Sequence, residues 1–494
     1  MASLKTKAVN SVKITGLTMA VVSLLQVIQL VVLGRVLGAE VFGVIALIQI
    51  VIQFAQMYMD MGITDAIIQK EKISRKQLSS LYWFSIVVGI FLFLLMLVAA
   101  PLIAGVFNQP ELVGYIQVVG ISFAIIPFGA QFQTIATKNL DFKDISKYEI
   151  IANLAGTVII LVLAVYYGLG AWSLVYGFIV ISVIKTLPWV IRGFRNEQTR
   201  PSWEFDWSDI KEMVSFGMYR LGSNTANFFN TKIDQIVVGI MLGPLILGYY
   251  SMAMSIVMQP IQRLNPMITK VSFPLFSKIQ NDQLRLRKVY LFIIKLIMTS
   301  NAPLFAGLIV LAPYIIPLLL GSGWDEAIGI VQILSFYALF RALGNPSGSL
   351  FIAVGKVRWS FYWQLSLLFV IPLVAYFSSL TGNIFIVAWS MAMLRFVLFF
   401  INYFIRIRFI IGSSLKPLLI SIFIPIGYSF VMAAVLEFLI SSVSGLPETG
   451  LIVASIIAGA GIYGGLLLLF ERKLLQEVKV LFVKKAMVKR SIIE

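Results

Sequence analysis

The sequence predicts an all-α integral membrane protein: fourteen transmembrane helices, arranged as two pseudo-symmetric six-helix lobes plus two C-terminal helices around a central cavity. Three observations predict it. Of 494 residues, 59% are apolar and only 12% charged, whereas soluble domains carry about 45–50% and about 25%. The apolar residues gather into stretches able to cross a hydrocarbon core about 30 Å thick, which takes about 20 helical residues. Glycine-bearing motifs of the first spans recur in the second half of the chain.

The stretches lie at 12–36, 41–66, 80–105, 112–135, 147–167, 170–191, 215–242, 246–272, 289–320, 327–354, 358–378, 384–405, 417–442 and 450–470. The first is too polar in its early turns, and lacks a small-residue cleavage site, to be a removable signal peptide. Pro303, Pro313 and Pro317 are expected to break the ninth.

With the N-terminus inside, 32 of the 39 lysines and arginines fall on one side, from Lys5 and Lys7 through Lys138, Arg192, Arg285 and Arg406 to the tail beyond Arg472. The opposite loops hold Arg35 against Glu40, Glu111, Asp325, Glu326, Glu437 and Glu448. This is the positive-inside pattern of a chain with an even number of spans and both termini cytoplasmic. It accounts for the net charge of +17 without a nucleic-acid partner.

The organisation follows: a first lobe at 1–191, a cytoplasmic linker at 192–214, a second lobe at 215–405, two further spans at 406–470 and a tail at 471–494. In the tail, Leu474, Leu475, Val478, Leu481 and Phe482 recur at helical spacing among lysines, as an amphipathic helix on anionic inner-leaflet lipid would. No loop is long enough to house an active site. The chain has no Cys and no His, which excludes disulfides, thiolate metal sites and imidazole bases. A non-enzymatic protein without metal or cofactor is expected.

An internal repeat supports the two lobes. At an offset of 205 residues, Gly34, Gly38 and Gly43 fall on Gly239, Gly243 and Gly248. A second echo, IATKNLDF from Ile135 against IAVGKVRW from Ile352, lies at an offset of 217. Six spans is an even number, so the copies are parallel in the bilayer, as in rocking transporters.

Polar residues inside spans are costly and face a bundle interior or water. In span seven, Arg220, Asn224, Asn227, Thr231 and Asp234 step by 4, 3, 4 and 3 along one helix face. Span two repeats this with Gln49, Gln53, Gln56 and Asp60, and span one with Thr15, Thr18, Gln26 and Gln29. Such faces are either walls of a hydrated cavity or interhelical hydrogen-bond seams. Seven bases lie outside the cytoplasmic set: Arg35, Arg220, Lys232, Arg263, Lys295, Arg341 and Arg395. Arg341 and Arg395 fall near mid-span, where burial costs roughly 3 kcal/mol each on insertion scales. Asp234, the sole acid in the second-lobe spans, is about 21 Å along the helix from Arg220 at about 1.5 Å per residue. The second lobe therefore carries uncompensated positive charge suited to phosphate. The candidate cavity residues are Gln53, Gln56, Arg220, Asn224, Asn227, Asp234, Arg263, Arg341 and Arg395, with Asp234 and Asp60 as coupling-ion candidates.

Several segments resemble a known family: LGAEVFGVIALI, DMGITDAIIQKEKIS from Asp60, IDQIVVGIMLGPLILGYYSMA from Ile233, QRLNPMITKVSFPLFSKIQND from Gln262 and RALGNPSGSLFIAVGK from Arg341. They are similar to the polysaccharide-exporter branch of the multidrug/oligosaccharidyl-lipid/polysaccharide flippase superfamily, closest to colanic-acid and teichuronic-acid exporters. The resemblance implies a flippase of the prokaryotic cytoplasmic membrane. It would move a polyprenyl-pyrophosphate-linked oligosaccharide from the inner to the outer leaflet by alternating access, with membrane lipids and polysaccharide polymerase machinery as further partners. It places Arg263, Arg341 and Asp234 in family-like segments. Two alternatives stay open, a multidrug-extruding antiporter of the same superfamily and a membrane polysaccharide polymerase. The first would favour acidic cavity groups, and the second a substantial outer loop.

Overall fold

The computed structural model describes residues 2–71, 73–442, 447–472 and 474–477, excepting the side chains of residues 2–10, 12, 216, 219, 220 and 271. The described chain is helical: α1 Ala2–Asp60, α2 Ile63–Gln69, α3 Arg75–Val106, α4 Leu112–Ile125, α5 Pro127–Lys138, α6 Phe142–Val165, α7 Trp172–Arg195 and α8 Trp207–Lys278. There follow α9 Gln283–Leu320, α10 Asp325–Ala342, α11 Gly344–Ala353, α12 Val357–Ser379, α13 Ile384–Asn402, a π-helical turn Tyr403–Ile407, α14 Arg408–Ile411, α15 Leu415–Ser442 and α16 Glu448–Phe470. Among the described residues eleven helices are long and apolar enough to span a membrane, or twelve if the bent pair α4 and α5 is one span. Of the tail expected to be amphipathic, Glu471 ends α16, Arg472 and the stretch 474–477 are helical, and the remainder lies outside the described residues.

Two compact units are present. One comprises Met1–Met252, Leu319–Trp324 and Phe361–Ile386, and the other Ala253–Leu318, Asp325–Ser360 and Val387–Glu494. In the first unit, the repeat glycines explain the local backbone. The 59-residue α1 and the 72-residue α8 are each interrupted once, at Gly38 (φ 71°, ψ 172°) and Gly243 (φ 81°, ψ 176°). That conformation is essentially closed to residues with a Cβ, so the glycine echo marks the same turn twice. The halves of α1 and α8 beside these turns then pack together along their length. A Cβ on Gly43 would fall 1.7 Å from the Pro244 carbonyl oxygen, and one on Gly248 would fall 1.8 Å from that of Ala39. Ala39 and Pro244 are themselves repeat equivalents, so the contact is reciprocal. Further along, Leu47 meets Gly239, Phe54 meets Phe228 at 5.4 Å, Tyr58 and Thr225 share a hydrogen bond of 3.3 Å, and the Met61 carbonyl meets Gly217.

The linker after α7 does not hang free. The Trp83 indole N–H donates to the Ser202 carbonyl at 2.8 Å and its ring stacks on Trp203 at 4.5 Å, while Lys76 pairs with Asp206 at 3.1 Å. Hydrogen bonds from Ser208 and then Lys76 hold the Asp206 carboxyl down at about 2.

Proline placement departs from expectation in both directions. The ninth stretch is one 38-residue helix running through Pro303, Pro313 and Pro317. Spans four and ten, expected to be continuous, are interrupted, between Ile125 and Pro127 with a bend of 51° and at Leu343. The echo at offset 217 thus relates two breaks. A helical proline deprives the carbonyl four residues earlier of its donor, and inside a membrane that oxygen must find another. Here neighbouring helices supply it. Gln117 donates to Leu97, four before Pro101; Tyr463 to Thr299, four before Pro303; Gln332 to Ile309, four before Pro313; and Asn265 to Ala342, four before Pro346. At these four prolines a side chain from a neighbouring helix takes the place of the missing N–H.

Candidate functional site

In the first unit the stripe on α8 is not uniform. Asn224 and Asn227 are exposed, Thr231 is half-buried and Asp234 is buried, so the face turns from the surface into the packed interior. The Thr231 hydroxyl donates back to the Asn227 and Phe228 carbonyls of its own helix. Asp234 accepts from the Tyr250 hydroxyl at 3.0 Å and from the Gln235 N–H at 2.9 Å, which ties the two halves of α8 across the Gly243 turn. The side chain of Arg220 lies outside the described residues. On α1, Gln53 is exposed and Gln56 half-buried, and the exposed Asp60 accepts from Thr64 at 2.5 Å. Sequence reasoning missed Asn230. It is buried off the stripe and donates to the Gln364 carbonyl of α12 at 2.9 Å.

These burials give a direct test. The chain has no native cysteine, so Cys at Asn224 or Asn227 should react with a small aqueous thiol reagent, and Cys at Asn230 should not. Equal reaction at all three positions would show that the exposed amides do not mark a water-facing wall.

In the second unit the sequence-predicted bases separate. Lys295 forms an ion pair of 2.7 Å with Glu471, which is buried. That pair fastens α9 to the segment after α16 and gives Lys295 a structural role. Arg263 is exposed on α8, and its motif meets the other family-like segment through Asn265 instead. The buried Asn265 amide donates to Ala342 at 3.1 Å while its oxygen accepts from Asn301 of α9 at 3.2 Å. Arg341 and Arg395, both half-buried, come together on one ring. Arg341 donates to the Tyr337 hydroxyl at 2.7 Å, and the Arg395 guanidinium carbon lies 5.3 Å from the Tyr337 ring centroid. A fanned set of aromatics, Phe336, Phe340, Trp389 and Phe396, packs α10 against α13 beside them.

Arg406, expected among the bases of the cytoplasmic side, is only 5% exposed. It sits in the π-helical turn, 3.9 Å over the Phe351 ring, and donates to Asn402 at 3.0 Å. Asn402 in turn reaches Ser347, which also bonds the buried Tyr290. The one signal in the sequence was an amide placed four residues before the arginine, on the same helix face.

The profile of a family described as "Polysaccharide biosynthesis protein" matches residues 32–329. The chain is similar to the lipopolysaccharide biosynthesis protein WzxC of Escherichia coli K12, 30% identical over 424 residues that make up 86% of this chain and 85% of that one. It is likewise 30% identical to the teichuronic acid biosynthesis protein TuaB of Bacillus subtilis 168, over 85% of this chain and 88% of the relative. Among solved structures it is similar to the lipid II flippase MurJ in an inward closed conformation, with a TM-score of 0.75, 16% identity and coverage of 93% of this chain and 99% of that one.

Proposed function

The chain belongs to the polysaccharide biosynthesis protein family, and from that premise we propose that it is a flippase for a polyprenyl-pyrophosphate-linked oligosaccharide. It carries the repeat unit from the inner to the outer leaflet of the prokaryotic cytoplasmic membrane by alternating access, for surface polysaccharide assembly. In this proposal α1 and α8 each count as two spans, which gives fourteen in two six-helix lobes plus two, with both termini cytoplasmic. The polysaccharide polymerase machinery would receive the product.

The observation that carries the proposal is the meeting of Arg341 and Arg395 at Tyr337 within helices apolar enough to span the membrane. Cations within membrane spans are expensive and mark substrate or ion pathways, and two of them together favour an anionic head group such as a pyrophosphate over an organic cation. Of the two carboxylates, we assign energy coupling to Asp234 in preference to Asp60: it is buried, and a proton or cation on it would loosen its bond to Tyr250.

Removing the gene should make lipid-linked glycan accumulate on the inner leaflet, and Arg341→Ala should reproduce that defect at normal membrane abundance. Arg341→Lys should retain part of the export, since lysine keeps the charge and loses the planar fork. No glycan accumulation, together with loss of cationic-dye efflux, would assign the chain to drug extrusion instead.

A further inference from the structure

The turn between α9 and α10 ends in a tryptophan that is buried although it stands outside any helix. Its segment, Leu319–Trp324, belongs to the first compact unit, with α1 and the part of α8 as far as Met252. Gly321 and Gly323 have φ of 82° and 87°, so the chain doubles back within a few residues. Trp324 is only 1% exposed.

Three contacts seat the indole. Its N–H donates to the Gly34 carbonyl at 2.9 Å, and its ring meets Phe42 of α1 at 5.5 Å and Tyr249 of α8 at 5.9 Å, both edge to face. Gly34 stands in the last turn before α1 is interrupted at Gly38, where carbonyls are left in need of donors. Having no side chain, it also lets Leu320 lie against it, since a Cβ there would fall 2.6 Å from Leu320 Cδ2. Arg35 donates through Nε to the Leu319 carbonyl at 3.3 Å, in the last turn of α9, where a cation suits the helix dipole. Phe42 and Tyr249 are the chain neighbours of Gly43 and Gly248, which bring α1 and α8 backbone to backbone. One indole therefore bridges the seam between the two helices, and they must give up some of these contacts to part at that end.

We propose that Leu319–Trp324 is a plug that closes the outer end of the α1–α8 seam, and that Trp324 leaves its socket each time cargo is released. The proposal rests on the flippase reading above, which requires the outer end to open. That reading puts this end outside, because Arg35, Glu40, Asp325 and Glu326 of the expected outer loops flank the socket residues in sequence. A contact that served stability alone would stay closed throughout transport, and pinning it would change nothing.

The chain has no native cysteine, so the test is a reversible crosslink across the socket, made in the full chain in cells. A Cβ on Gly34 would lie 3.6 Å from the Leu320 Cβ, within the about 3.5–4.5 Å that a disulfide spans, and Leu320→Cys removes the Cδ2 that crowds Gly34. Gly34→Cys/Leu320→Cys should form a disulfide under mild oxidant, lose nearly all export while it is closed, and recover on reduction. The control is Gly177→Cys/Ile160→Cys, which joins α7 to α6 at 3.5 Å and should export normally when oxidised. A second measurement needs no crosslink. Leu320 is fully buried, so Leu320→Cys alone should react slowly with an aqueous thiol reagent. Trp324→Ala should speed that reaction several-fold, and Trp324→Phe, which keeps a ring and loses the N–H, should speed it less. If the double cysteine variant does not reach the membrane, this labelling decides alone. Full export by the oxidised Gly34/Leu320 pair, failure of that pair to crosslink in folded protein, equal loss of export in the control, or unchanged labelling in Trp324→Ala would overturn the plug. If export still depends on the gene, any of these results leaves the flippase proposal standing. Export unaffected by gene removal would overturn both.

Discussion

Gly43→Leu should abolish export and open the packed end of α1 and α8. A Cβ at this position would fall 1.7 Å from the Pro244 carbonyl oxygen and 2.5 Å from its carbon, and backbone cannot rotate away as a side chain would. Overpacking in a well-packed interior costs typically about 1–3 kcal/mol, and a clash with immovable backbone lies at or beyond the top of that range. The helices must separate there. Leu47, 1% exposed and set against Gly239, reports the separation. Leu47→Cys alone should be protected from an aqueous thiol reagent, and adding Gly43→Leu should make it reactive. Because the contact is reciprocal, Gly248→Leu should do the same through Ala39. Gly105→Ala is the control, since a Cβ there meets nothing within 4 Å. Protection of Leu47→Cys in the Gly43→Leu background, with normal export, would show that this end does not need to close.

The glycines were legible because they are a backbone requirement written in a single residue type. A turn at φ near +70° with ψ near 180° admits only glycine, so its recurrence at offset 205 could be read without any structure. The membrane helices were legible for a similar reason, as apolar length is a local property. Tyr337 was not legible. One tyrosine in a chain with 18 of them carries no local mark, and its role depends on Arg395, which is distant in sequence. Arg406 is different again. Its position at the end of a span fits a flanking charge, and only the packing of Phe351, Asn402 and Ser347 shows that its side chain is buried. Likewise the span-seven stripe was correct in its periodicity, yet periodicity does not say that the face passes from exposed Asn224 to buried Asp234.

Asn265→Leu should be among the most destabilising single changes in the chain, and Pro346→Ala should rescue it. Asn265 is fully buried and makes two hydrogen bonds, to the Ala342 carbonyl and from Asn301. Leucine has the same branched arrangement of side-chain heavy atoms, somewhat bulkier, and no polar group, so the loss includes both hydrogen bonds. The Ala342 oxygen would then be left without a donor, at a cost of about 1–3 kcal/mol, while the Asn301 amide would keep only its bond to the Ile297 carbonyl. The Ala342 carbonyl is in need only because Pro346, four residues on, has no N–H to give it. Alanine at 346 restores that N–H, and α10 and α11 can then merge into a regular helix with Ala342 satisfied internally. Thermal unfolding in detergent should therefore show a large loss for Asn265→Leu, a recovery of about half of it in the double variant, and little change for Pro346→Ala alone. Export should not recover in step. A merged helix no longer ends α10 beside Arg341, so the double variant should be stable and slow. Equal destabilisation with and without Pro346 would mean that Asn265 serves packing alone, and that the proline break owes nothing to it.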